Sequence, residues 1–270
     1  MEITFIGGGN MASAIIGGLL RESFDPRSIC AVDIAAEQRA QLVERYSINA
    51  VAAIDDAVPL GSTIIMAVKP QHMKAAAQAL APLLKNEVVV SIAAGIRIED
   101  LARWLGGHQR LIRCMPNTPA LIGAGITAAH ALPSVSTDQR AAAERILKAM
   151  GKVIWVAAEP LLDTVTAVSG SGPAYVFYFI ESLRAAAVEL GLTEQQASVL
   201  ALETFLGSAK LAAQSTEDVA TLRVRVTSKG GTTEAALASM ARDQVRQAII
   251  RGVRAAQERS HELGVELGKD

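Results

Sequence analysis

Toward its C-terminal end the chain reads Val226-Thr227-Ser228-Lys229-Gly230-Gly231-Thr232-Thr233-Glu234-Ala235, with hydroxyls on Ser228, Thr232 and Thr233 around a double glycine and a helical run following. The first N–H groups of a helix have no partner inside it, so such a segment can hold a small carboxylate among free donors. The plainer alternative is a cap that ends one helix and begins the next, although two glycines and three hydroxyls exceed what capping requires. At the opposite end, Gly7-Gly8-Gly9-Asn10-Met11-Ala12 follows a strand-like run and opens a helical one. In the G-x-G-x-x-A pattern, Gly7 permits a tight turn, Gly9 lets a pyrophosphate approach the backbone, and small Ala12 lets helix and strand pack closely. A strand-to-helix turn that holds no ligand is the competing reading.

Asp33 ends the second strand-like run, where a carboxylate can hydrogen-bond the ribose hydroxyls of an adenosine and would repel a 2′-phosphate. Ile34-Ala35-Ala36 follow it and the nearest arginine is Arg39, so the residues lean toward NADH over NADPH. An ordinary turn residue at a strand end is the alternative. Three further segments follow strand-like runs and permit close backbone approach: Ala67-Val68-Lys69-Pro70, Ser91-Ile92-Ala93-Ala94-Gly95 and Met115-Pro116-Asn117-Thr118-Pro119. Pro70 is expected to bend the chain out over the cofactor.

Other chemistries find little support. His72, His108, His130 and His261 are scattered, no Gly-x-Ser-x-Gly elbow occurs, and Cys30 and Cys114 have no metal-ligand spacing. No metal site is expected.

The elements that must position these residues alternate at first. Strand-like runs at 3–6, 28–33, 63–68, 88–92, 110–115, 125–130 and 153–156 are separated mostly by helical stretches such as 37–46 and 71–84, which predicts a parallel, doubly wound sheet. Beyond about residue 159 the strand signal stops, and helical stretches at 173–190, 194–213, 217–226 and 233–263 follow. Thr193 with Gln196 forms a capping-box signal, and Pro173 suits a first helical turn. The expected fold class is therefore α/β: an N-terminal Rossmann-type domain over 1–160 and an all-helical domain over 161–270. Gly170-Ser171-Gly172-Pro173 reads as the flexible entry to the long helix. The helix beginning Ala174-Tyr175-Val176-Phe177-Tyr178-Phe179-Ile180 is apolar nearly all round and needs a second subunit to cover it, so a homodimer is expected.

Composition bounds the partners. A formal net charge of −1 over 270 residues supplies no field for nucleic acid or anionic membrane. The mean hydropathy of +0.29 comes from alanine-rich helices, not from an uninterrupted apolar span. With two cysteines and no signal-peptide pattern at the start, a cytoplasmic location is expected.

These motifs resemble one family along the whole chain, pyrroline-5-carboxylate reductase. Its glycine-rich opening is matched by Ile6-Gly7-Gly8-Gly9-Asn10-Met11-Ala12 and its lysine-proline loop by Ala67-Val68-Lys69-Pro70. Its hinge is matched by Ser169-Gly170-Ser171-Gly172-Pro173-Ala174-Tyr175, and its highly specific signature by Thr227-Ser228-Lys229-Gly230-Gly231-Thr232-Thr233. The resemblance implies a helical C-terminal domain that interlocks two subunits, and in many members a ring of five dimers. It implies hydride transfer from NADPH or NADH to the C=N carbon of 1-pyrroline-5-carboxylate, giving L-proline in the last step of proline biosynthesis. By the same resemblance Thr233 is the catalytic residue, hydrogen-bonding the ring nitrogen, while Ser228, Gly230, Gly231 and Thr232 hold the substrate carboxylate. Glu159 matches a position where an acid stands near the substrate amine. The cofactor would lie along Gly7, Gly8, Gly9, Asn10, Met11, Ala12, Asp33, Ala67, Val68, Lys69, Pro70, Ala93, Ala94 and Asn117.

The sequence departs from the family pattern at Asp33, where NADPH-preferring members usually carry a small polar residue, and at Asp55 and Asp56, near where an asparagine approaches the cofactor. Arg225 likewise stands where asparagine is common. Two other classes share parts of the pattern. A small-hydroxyacid dehydrogenase would need a lysine on the helical domain, where only Lys210 and Lys229 lie between the hinge and Lys269. A nucleotide-binding sensor without turnover would not need the hydroxyl-rich loop.

Overall fold

The computed structural model describes residues 2–269. Eight strands form one sheet: β1 (Ile3–Ile6), β2 (Ile29–Val32), β3 (Asn49–Val51), β4 (Thr63–Met66), β5 (Val88–Ser91), β6 (Leu111–Met115), β7 (Gly125–Ala131) and β8 (Gly151–Trp155). Their order across the sheet is β3-β2-β1-β4-β5-β6-β7-β8. Every residue of β1, β2, β4 and β5 is buried, as the near-continuous apolar runs of a sheet covered on both faces require. Side chains alternate between two cores. Phe5, Ile65 and Val90 enter one apolar cluster, whereas Ile6, Ile64, Met66 and Val89 enter the other.

Helices α1 (Asn10–Arg21), α2 (Ala36–Tyr46), α3 (Pro70–Leu80), α4 (Ile98–Trp104) and α5 (Thr137–Lys148) connect the strands, and α6 (Leu161–Val165) follows the sheet. Two features depart from the sequence-based expectation. The edge strand β3 went unforeseen because three residues, Asn49-Ala50-Val51, carry no period to read. The sheet is also not parallel throughout, since β7 runs antiparallel to β6 and parallel to β8. The connection from β6 to β7 contains only a 3-10 turn, Thr118–Ile122, whereas a parallel return needs a crossover of about a dozen residues or more.

The chain forms two compact units: one runs up to Ser171 and includes the chain from Ala256 onward, the other spans Gly172–Ala255. The expected division at 160/161 therefore differs in both respects. A π-helical turn, Thr166–Gly170, follows α6 directly, and the Ser171 N–H reaches back to the Thr166 carbonyl at 2.8 Å. The glycine-rich hinge is thus continuous with helix, not an open loop.

The second unit holds α7 (Gly172–Glu189), α8 (Glu194–Gln214), α9 (Val219–Arg225), α10 (Thr232–Arg242) and the first part of α11 (Val245–Leu267). Thr193 and Gln196 make both bonds of the capping box ahead of α8. The single helix expected over 233–263 is broken at Gln244, whose φ of 52° lies in the left-handed region. No glycine or proline in Arg242-Asp243-Gln244 announces that break. Only Ala197 and Ala201 are buried within this unit, while Phe177 and Tyr178 are 61% and 67% exposed. A single copy of these helices has almost no core of its own. No helix among the described residues is long and apolar enough to cross a membrane.

Candidate active site

The fingerprint turn sits after β1, an interior strand with β2 on one side and β4 on the other. This is the switch point at which doubly wound sheets bind ligands beyond the strands' carboxyl ends. Gly7 donates its N–H to the Val32 carbonyl at 2.8 Å, and Ala67 donates to the Ile6 carbonyl at 2.8 Å. Gly7 has φ of 99°, and a Cβ there would stand 2.9 Å from the Ala67 carbonyl, so the turn demands glycine. Gly9 caps α1 without any side-chain bond, and the space a Cβ would occupy over it is open. The first-turn N–H groups of α1 are consequently free for an anion, and the residues fit a dinucleotide pyrophosphate.

Asp33 is half-buried at the end of β2. Its Oδ2 accepts the Gly8 N–H at 2.8 Å and its Oδ1 accepts the Ala35 N–H at 2.9 Å. Two neighbours on α2 complete this corner: Gln38 Nε2 donates to the Gly8 carbonyl at 2.6 Å, and Arg39 Nη1 donates to the carbonyls of Asp33 at 2.7 Å and Ile34 at 3.0 Å. In the sequence Arg39 is simply the nearest arginine after Asp33. Its placement within the first turn of a helix starting at Ala36 was the signal that it folds back onto the strand end.

Lys69 caps α3 and Pro70 is its first residue. Pro70 therefore opens a helix, at the position where its missing N–H costs nothing. Ala93 and Ala94 follow β5. Asn117 follows β6, and its Oδ1 accepts the Ile126 N–H at 3.0 Å. Because β2, β1, β4, β5 and β6 run parallel, all the expected cofactor residues share one edge of the sheet.

In the helical unit, Ser228 to Thr233 form one tight turn. The Gly231 N–H donates to the Ser228 carbonyl at 3.0 Å, Gly230 adopts φ of 75°, and its N–H donates to Glu234 Oε2 at 2.7 Å. Gly231 caps α10 with no side-chain bond. Thr227 is occupied with the Arg223 carbonyl at 2.7 Å, but the hydroxyls of Ser228, Thr232 and Thr233 have no partner among the described residues. Simple capping would spend one of those hydroxyls on the helix end. Here all three remain available beside free N–H groups. Arg225, the departure noted in the sequence, pairs with Glu217 at 2.5 Å.

Glu159 lies in the other compact unit. Its Oε1 accepts from Arg113 Nη1 at 2.7 Å and from the Ile98 N–H at 2.8 Å. Arg113, only 5% exposed, is a buried cation that Glu159 neutralises, with Asp163 nearby and itself accepting from Ser260 Oγ at 2.8 Å. This network, which ties the end of α11 to the sheet domain, was invisible in sequence because its members are far apart in the chain. His108 and His130 contact backbone carbonyls, and His261 contacts Arg97. Burial pushes the Cys30 thiol up to about 11 and that of Cys114 higher still, so neither is a ready nucleophile at neutral pH.

A doubly wound sheet with an uncapped glycine turn at its switch point places the molecule in the Rossmann-type, dinucleotide-binding class. The family model described as NADP oxidoreductase coenzyme F420-dependent matches residues 2–95, and that described as pyrroline-5-carboxylate reductase dimerisation matches residues 159–263. A pyrroline-5-carboxylate reductase of Pseudomonas aeruginosa is 44% identical over 99% of this chain and 98% of its own. The chain belongs to the pyrroline-5-carboxylate reductase family, whose members are nicotinamide-dependent oxidoreductases. Among solved structures, a pyrroline-5-carboxylate reductase of Coxiella burnetii superposes with a TM-score of 0.93 at 38% identity, covering 97% of this chain and 98% of that one. A Plasmodium falciparum pyrroline carboxylate reductase with NADP bound gives 0.86 at 27%, covering 98% of both. The matched dimerisation region supports a homo-oligomer.

Proposed function

We propose that this chain reduces 1-pyrroline-5-carboxylate to L-proline with NADH or NADPH, the last step of proline biosynthesis, in the cytoplasm. The observation that carries the reading is the Ser228–Thr233 turn, which offers free N–H groups and three unpartnered hydroxyls to a small carboxylate in a chain that also has the dinucleotide turn. When bound, the nicotinamide supplies the hydride to the C=N carbon. Gly7 to Ala12 would receive the pyrophosphate, Asp33 the adenosine ribose, and Ala67 to Pro70, Ala93, Ala94 and Asn117 the remainder of the cofactor along the same sheet edge.

Ser228 Oγ and the free N–H groups at the start of α10, beginning with Thr232, hold the substrate carboxylate, Gly230 and Gly231 shape the turn that presents them, and Thr233 Oγ1 hydrogen-bonds the ring nitrogen. A protonated imine carbon is already electrophilic, so the protein need only hold the reactants face to face and exclude water. No histidine or lysine acid is required. Glu159 is the weakest member of the set, because its carboxylate already serves Arg113 and the start of α4.

The working unit is a homodimer built through the helical unit, since its exposed aliphatic and aromatic side chains need a partner; a ring of such dimers follows the family resemblance. The test is to mix purified protein with 1-pyrroline-5-carboxylate and each reduced cofactor and follow near-ultraviolet absorbance. Imine-dependent oxidation is expected, and silence from a folded protein would sink the proposal.

A further inference from the structure

The corner at the end of β2 contains a cation that the reaction does not explain. Arg39 uses a single nitrogen, Nη1, to hold the carbonyls of both Asp33 and Ile34. A guanidinium carries five N–H donors, so the Nη2 pair and the Nε–H remain. No carboxylate pairs with Arg39 among the described residues. The nearest candidate, Asp33, turns its two oxygens onto the N–H groups of Gly8 and Ala35. The carboxylate is thereby drawn toward the fingerprint turn while the guanidinium is held by the carbonyls of the same strand end.

In this fold the ribose 2′ position of the adenosine lies at the end of β2, where an acid selects a hydroxyl and a nearby arginine accommodates a phosphate. We propose that Arg39 is the specificity-determining group that admits a 2′-phosphate, so that the chain accepts NADPH despite the acid at Asp33. Its planar fork, anchored by two carbonyls, presents the remaining donors in the geometry that phosphate oxygens take. Exposed Ile34, between the two residues, supplies an apolar surface for the adenine beside it. The inference rests on the dinucleotide reading of the site, but not on the identity of the imine.

The test uses nucleotide fragments, which need no turnover. 2′,5′-ADP and 5′-AMP are titrated calorimetrically into the intact oligomer of the parent and of Arg39→Gln and Arg39→Lys. Arg39→Gln is expected to lose roughly tenfold or more in affinity for 2′,5′-ADP relative to its change for 5′-AMP, the size of one charge-assisted hydrogen bond. Arg39→Lys should restore part of that difference. Equal losses for both fragments would reduce Arg39 to a support for the Asp33–Ile34 turn and overturn the proposal, as would equal 2′,5′-ADP binding by parent and variant. A parallel imine assay on the parent keeps the outcomes separate: fragment discrimination without imine reduction would retain Arg39 and reject the reductase.

Discussion

Asp33 Oδ2 accepts the Gly8 N–H at 2.8 Å, so the carboxylate that follows β2 also fixes the glycine-rich turn that follows β1. In the proposed site one carboxylate thus has two duties, opposing a phosphate at the ribose, which Arg39 offsets, and shaping the glycine turn. Asp33→Ser should separate them. The ratio of kcat/KM values for NADPH over NADH is expected to rise by roughly tenfold as the repulsion goes, with a stability loss of about 1–3 kcal/mol from the orphaned N–H groups. An unchanged ratio would assign adenosine selection to another loop.

Thr233 stands in the first turn of α10 with its hydroxyl unspent. Thr233→Ala should lower kcat/KM by about tenfold to a hundredfold, the worth of a hydrogen bond to a charged group, while leaving the melting temperature nearly unchanged. Thr233→Ser should recover most of the activity. If steady-state kinetics gave the parent kcat and KM for the alanine variant, the nitrogen contact would be wrong.

Glu159 offers a choice between two roles that different readouts distinguish. Its removal leaves Arg113 buried without its closest counter-charge, and breaking such a pair costs about 3–5 kcal/mol. Glu159→Ala should therefore lower the midpoint of urea unfolding well before it affects KM for the imine. A raised KM at parental stability would instead return Glu159 to the substrate site.

The helical unit buries only Ala197 and Ala201, and Phe177 is 61% exposed in a single copy. Placing a charge on that face, as in Phe177→Glu, should shift sedimentation toward a monomer and abolish turnover in the same concentration range. A folded, active monomer of the parent on dilution would remove the dimer from the proposal.

The glycine pattern at Gly7 to Ala12, the acid at Asp33 and the hydroxyl-rich turn from Ser228 to Thr233 were legible because each is contiguous and its chemistry depends on local backbone. The same holds for the Thr193–Gln196 capping box. The break at Gln244 was not legible, since a left-handed residue that is neither glycine nor asparagine leaves no local mark. Three-residue β3 was too short to show a period.

The sequence by itself determined the class of fold, the two kinds of element and the glycine turn after β1, because strand burial, helix entry and a tight turn are written in neighbouring residues. Tertiary structure alone decided that β7 reverses against β6, that the chain from Ala256 returns to the sheet domain, and that Glu159 is spent on Arg113. Each of these joins groups separated along the chain or depends on which of several donors wins a shared acceptor. Packing and charge pairing settle such choices only when the elements have come together.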